Sequence, residues 1–185
     1  ALKAKGFSDV IEKIITENGI DVICAENIIF STPASYSMRL NMIAINYKIP
    51  IILRLHMYPE APLQIALTKE LMWDRVSCVS TSVAGDCFQK GIDVDKLSTD
   101  YLGVNTNDFS PKANSDFHLK KELGFNEDAK IVLTAGRIIT GTKNMLKEKG
   151  MINLVEAFAR IAPIMPKARL LIAVAKASAN LKVEF

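Results

Sequence analysis

Long hydrophobic runs are absent from this chain of 185 residues. A membrane-spanning helix needs roughly 18 or more consecutive apolar residues, and no segment qualifies. No secretory signal is read in the sequence. Cysteine is confined to Cys24, Cys78 and Cys87, an odd number. Cys24 and Cys78 sit in apolar strand-like runs, so the three read as buried thiols in a reducing compartment, not as a disulfide framework. No two of them have zinc-ligand spacing, and no metal is expected. Charge of one sign is not in excess: 23 Lys and Arg face 20 Asp and Glu, a net charge of +3. That balance lacks the clustered basic face that nucleic-acid binding needs, so nucleic acid is not an expected partner. Also missing is G-x-G-x-x-G. Gly136 and Gly141 have the wrong spacing and lead into lysines, which argues against a nicotinamide cofactor. There is no solenoid repeat and no low-complexity tract.

With 49% apolar and 23% charged residues, the composition is that of a globular protein. Short β-rich runs alternate with helical patterns throughout, which predicts parallel α/β architecture. Phe7 to Asn18 is expected as a helix, with Ser8 as its N-cap and Gly19 as its stop. Further helices are expected from Ala34 to Tyr47 behind Pro33, from Leu63 to Trp73, and from Thr81 to Lys90 after the capping residue Ser80. Strands are expected at 20–25, 51–55, 75–79 and 96–102. Trp73 and the stretch Met38 to Met42 read as core. Residues 111–128, with Pro111, Asn114 and Ser115, form a connection around a short helix at 117–123. This divides the chain into a first domain, 1–110, and a second, 129–185. The chain opens at Ala1 and stops at Phe185 just after a strand, so both domains are expected to be parts of larger ones.

The most informative pair lies in the second domain. The run Lys130 to Ala135 reads as a strand, and Gly136-Arg137 follows it. Lys149-Gly150 then opens a helical stripe through Met151, Leu154, Val155, Phe158 and Ile161. A guanidinium at a strand's carboxyl end and an ammonium at the next helix's start would meet in the crevice where open α/β sheets bind ligands. Two such cations suit a diphosphate. Gly136, Lys143 and Lys147 are further candidates for phosphate contact. His56, at the end of the 51–55 strand, is a candidate cleft residue. Each has a plainer reading: Arg137 as a surface partner of Glu148 or Glu127, Lys149 as a solvated helix-start lysine, His56 as a structural histidine, and Glu26 and Glu60 as solvated acids.

Several segments, in order, resemble the GT-B glycosyltransferases of the large group often called glycosyl transferases group 1, or family 4. Ile20-Asp21-Val22-Ile23 resembles the family's "P-D-V-I" strand. Ile49-Pro50-Ile51-Ile52 through His56 is similar to the strand that ends in its active-site histidine. Arg75 to Ser80 resembles "D-x-v-i-a-v-S". Gly103-Val104-Asn105 through Phe109 and Pro111 is similar to "G-V-D-x-x-x-F-x-P". Gly136-Arg137, Lys149-Gly150 and Leu154 to Phe158 resemble the family's arginine–lysine segment, and Pro166 to Ile172 its next strand. The resemblance covers about residues 20 to 174.

It implies an α/β fold of GT-B type, with two Rossmann-like parallel-sheet domains facing a cleft. The first domain would hold the acceptor and the second a nucleotide-sugar. It also implies transfer of a hexose to a glycan, lipid or small molecule in glycan biosynthesis, usually with retention of configuration and without a metal. The nucleotide-sugar is a donor substrate, and no resident cofactor is expected. By the same resemblance, Arg137 and Lys149 would neutralise the departing diphosphate, and His56 would lie near the transferred sugar. Departures from the pattern are the long interval Ile138 to Glu148, the run Ala173-Val174-Ala175-Lys176 where a glycine is usual, and the lack of a glutamate pair between 174 and 185. They keep open a non-catalytic α/β module, or another GT-B enzyme such as a phosphorylase or epimerase. The expected location is cytoplasmic, with contact between the lysines of 143–149 and an anionic membrane surface as a further option.

Overall fold

The computed structural model describes residues 2–110, 118–138 and 145–177. It divides into two compact units, Ala1–Phe109 and Ser110–Phe185.

Helix α1 (Leu2–Asn18) opens the first unit and ends at Gly19, whose φ of +61° is a left-handed stop. Ser8 is therefore not the helix's cap: the helix starts earlier and runs through Gly6. Four strands follow: β1 (Ile23–Glu26), β2 (Ile51–Leu55), β3 (Arg75–Cys78) and β4 (Leu97–Thr99). All pair in parallel in the order β1-β2-β3-β4. The crossovers carry α2 (Ile28–Ser31) with α3 (Ala34–Tyr47), then α4 (Pro62–Glu70), then α5 (Thr81–Gln89). Ser80 caps α5 by accepting from the Val83 amide, as its sequence position predicts.

Strand alternation sorts the residues into rows. Ala25, Leu53, Val76 and Leu97 are successive partners across the sheet, and Leu53 and Val76 are fully buried under the helices. One step along, Glu26, Arg54, Ser77 and Ser98 form a second, polar row on the opposite face. Cys24 belongs to that face, on an edge strand, so it is exposed, contrary to the sequence reading. Cys78 and Cys87 are buried as expected and unbridged. Their mutual hydrogen bond, together with burial, pushes the Cys87 thiol well up. Trp73 is core, 2% exposed, and its indole N–H donates to the Leu67 carbonyl at 2.9 Å. It lies beyond the end of α4, which stops at Glu70. Met38 and Met42 are exposed instead of buried, because α3 turns Ser37, Leu40, Asn41, Ile43 and Ala44 inward.

The second unit contains α6 (Leu119–Glu122), β5 (Lys130–Ile138), α7 (Met145–Glu148), α8 (Met151–Ile161) and β6 (Ala168–Ala177). β5 and β6 pair in parallel as the two strands of a β-α-β arrangement. Of α8's expected stripe, Met151 is buried and Leu154 and Phe158 partly so, while Val155 and Ile161 are exposed. Among the described residues, no helix is long and apolar enough to cross a membrane.

Candidate functional site

His56 is the residue next after β2, at the carboxyl edge of the first unit's sheet. Two side chains hold it, those of Asn27 and Glu26. Asn27, just past β1, takes a left-handed backbone with φ of +51°, a conformation asparagine tolerates better than most residues. In that pose the Asn27 amide donates to the Arg54 carbonyl at 2.9 Å. Its side-chain Oδ1 accepts from the His56 amide, also at 2.9 Å. The imidazole Nε2 meets Glu26 Oε2 at 2.7 Å. Glu26 in turn has its other oxygen 3.7 Å from Arg54 Nη1 and 3.6 Å from the Cys24 thiol. Arg54 Nη2 donates to the Asp100 carbonyl at 3.3 Å. Hydrogen bonds from Ser77 and Ser98 hold the Asp100 carboxyl below the usual carboxylate range. Burial, with the Glu26 charge second, pushes the Cys24 thiol up, so it is not an activated nucleophile.

The corner thus joins Glu26, Asn27, Arg54, His56 and Asp100 from three strand ends. Sequence reasoning finds His56. It notices Glu26 but has no reason to pair the two, because the link depends on the β1–β2 register that aligns Glu26 with Arg54. Glu60 is not drawn in. It is exposed, and its amide donates to the Gln64 side chain at 3.2 Å in the cap of α4. Among the described residues, no cluster of three or more histidine, cysteine and carboxylate groups could hold a metal. A cavity of about 540 Å³ opens at the other end of the strands, lined in part by Ile45, Lys48, Trp73, Asp74 and Lys96. Parallel sheets bind ligands at their carboxyl ends, and Asp74 there already accepts from the Ile51 amide at 2.7 Å. We therefore read this cavity as structural.

In the second unit, β5 does not end at Gly136-Arg137 but continues to Ile138, with an irregularity in its register between those two residues. Beyond it, Arg137 is the register partner of Lys176, which sets two basic residues side by side at the carboxyl end of two parallel strands. A Cβ placed on Gly136 would come within 3.4 Å of Met151 Cε, so this glycine lies directly against the first residue of α8. Gly150 is that helix's N-cap, left-handed at φ +66°, with no side-chain cap. Lys149 stands just before it, not within the helix, and Lys147 lies in α7. Both are exposed. The structure therefore brings Gly136 to the start of α8 and adds Lys176 to the basic set. Lys143 falls outside the described residues.

Comparison with solved structures decides the fold. The chain superposes on Anabaena HepE in complex with UDP and glucose with a TM-score of 0.64 over 94% of its length, at 17% identity. On HepE in complex with UDP-glucose the TM-score is 0.61 over 95% of the chain, at 18% identity. The apo form of the lipopolysaccharide outer core galactosyltransferase WaaB gives 0.51 over 98%, at 12% identity. The fold is GT-B-like α/β. The chain spans about half the length of these structures: 44% and 46% of the two HepE chains and 51% of WaaB. No protein-family model and no curated protein matches it by sequence.

Proposed function

We propose that the protein is a nucleotide-sugar-dependent glycosyltransferase that moves a hexose to a glycan, lipid or small-molecule acceptor with retention of configuration. The observation that carries this reading is the coincidence of two things. The fold likeness to HepE and WaaB extends over nearly the whole chain. Arg137 and Lys149, singled out in the sequence, lie at the carboxyl end of β5 and just before α8, where α/β folds take phosphates. In this reading Arg137 and Lys149, with Gly136 allowing close approach and Lys143, Lys147 and Lys176 as further phosphate contacts, bind the diphosphate and stabilise its charge as it departs. His56 meets the transferred sugar, and no metal or resident cofactor takes part. HepE is known with UDP and with UDP-glucose, which supports UDP as the carrier. Contact with an anionic membrane face would rest on the same lysines and suits a lipid-linked acceptor.

Calorimetric titration of UDP, GDP and ADP into the full-length protein tests the reading. Saturable UDP binding, weakened at least tenfold by Arg137→Ala, is the expected result. Equal binding by the variant would remove Arg137 from the site. No binding of any of the three would favour a non-catalytic module on the same fold.

A further inference from the structure

We propose that the outer face of α3 is the surface through which two copies of this chain associate. Met38, Met42 and Ile45 stand at i, i+4 and i+7 of α3, so they form one stripe along the helix. They are 51%, 61% and 47% exposed. Met72 widens the stripe. The Asn41 side chain donates to the Met72 carbonyl at 2.8 Å and accepts from the Met72 amide at 3.1 Å. These two bonds fix Met72 beside α3, where it is 64% exposed. Leu40 and Ala44 already seat α3 in the core, so the unit's own packing does not use this second apolar face. Contiguous apolar surface of this kind marks an interaction site. The flexible thioether of methionine suits a surface that repacks against a partner.

The charged borders of the stripe select the partner. By helical periodicity Arg39 and Asn46 border it on one side and Asn41 on the other. On the first side, a groove of about 270 Å³ beside Met42 is lined by Asp9 and Glu12 of α1 together with Arg39, two carboxylates against one guanidinium. On the second side, the cavity mouth beside Ile45 and Met72 carries Lys48, Lys96 and Asp74, two ammonium groups against one carboxylate. That carboxylate already accepts from the Ile51 amide. A partner of one charge sign, such as an anionic membrane, would suit the lysine border and be repelled at the acidic one. A second copy carries both borders. Turned about a two-fold axis running along the stripe, its lysine border meets the acidic groove and its acidic groove meets the lysine border, with the methionines packed between.

Sedimentation velocity of the full-length protein across a dilution series tests the inference. A monomer–dimer equilibrium is expected. Met42→Asp should weaken it at least tenfold. Phe88→Asp, at a similarly exposed apolar position on α5, should leave it unchanged. Both side chains face outward, so both variants should fold, which circular dichroism checks. Glu12→Lys and Lys48→Glu should each weaken the dimer, and the double variant should recover it, because the exchanged borders still match. A monomer at every concentration overturns the inference, as does a dimer indifferent to Met42→Asp and to both charge reversals. A monomer that floats with phosphatidylglycerol vesicles in a Met42-dependent way also overturns it, since the stripe would then be a membrane contact.

Discussion

At the scale of single residues, the first unit's sheet is notable for a polar row where a parallel sheet usually presents apolar side chains to a covering layer. Glu26, Arg54, Ser77 and Ser98 are successive register partners, and Asp100 closes the row. Ser77 and Ser98 donate to Asp100, which lowers its pKa from the usual value of 3.8. The sign of the consequence is fixed by linkage. A carboxylate with a depressed native pKa adds stability that is present above its unfolded value, about 3.9, and is lost as pH falls through the native value. Ser77→Ala should therefore raise the Asp100 pKa toward the ordinary carboxylate range and make the protein less resistant to acid. The check is NMR titration of the Asp100 side-chain carbonyl, together with acid unfolding. An unmoved Asp100 would show that Ser77 is not its partner.

Individual elements differ in how plainly the sequence announces them. Helix α5 is legible at both ends, because Ser80 is a capping residue and Gly91 a left-handed stop with φ of +80°. Helix α3 matches its expected span because Pro33 and Lys48 bound a continuous helical pattern. Its buried face is not legible, since methionine on a helix says nothing about which way the helix turns. Helix α2, only four residues long, is too short to carry a period. β5 outruns its expected end because a glycine and an arginine are weak strand formers, yet they extend through pairing with β6. The turn before α8 is marked by its glycine, and that glycine allows a test. Gly150 is left-handed, and the Cβ of an alanine there would enter open space. Gly150→Ala therefore carries only the backbone strain, about 1 kcal/mol of stability. Gly136 has no such φ and meets only the flexible end of Met151, so Gly136→Ala should cost less. Urea unfolding of both variants measures the difference. A larger loss at Gly136 would mean that the Met151 side chain cannot yield.

For the molecule as a whole, the class of fold is legible because alternation of strands and helices is a property of the entire chain. The candidate site is legible only in part. His56, Arg137 and Lys149 stand at strand ends or helix starts that a pattern can locate. Glu26 and Lys176 enter through strand register, which brings together residues far apart in sequence and leaves no local signal.

A nucleoside diphosphate that binds as proposed does so where Gly136 meets α8. Seven methionines make the protein readable by methyl NMR, and Met151 is the side chain that a Cβ on Gly136 would meet. UDP titrated into protein labelled at the methionine methyls should shift the Met151 resonance and leave Met38, Met42 and Met72 of the first unit in place. A shift at Met72, which lines the cavity at the opposite end of the strands, with Met151 unmoved, would contradict the assignment.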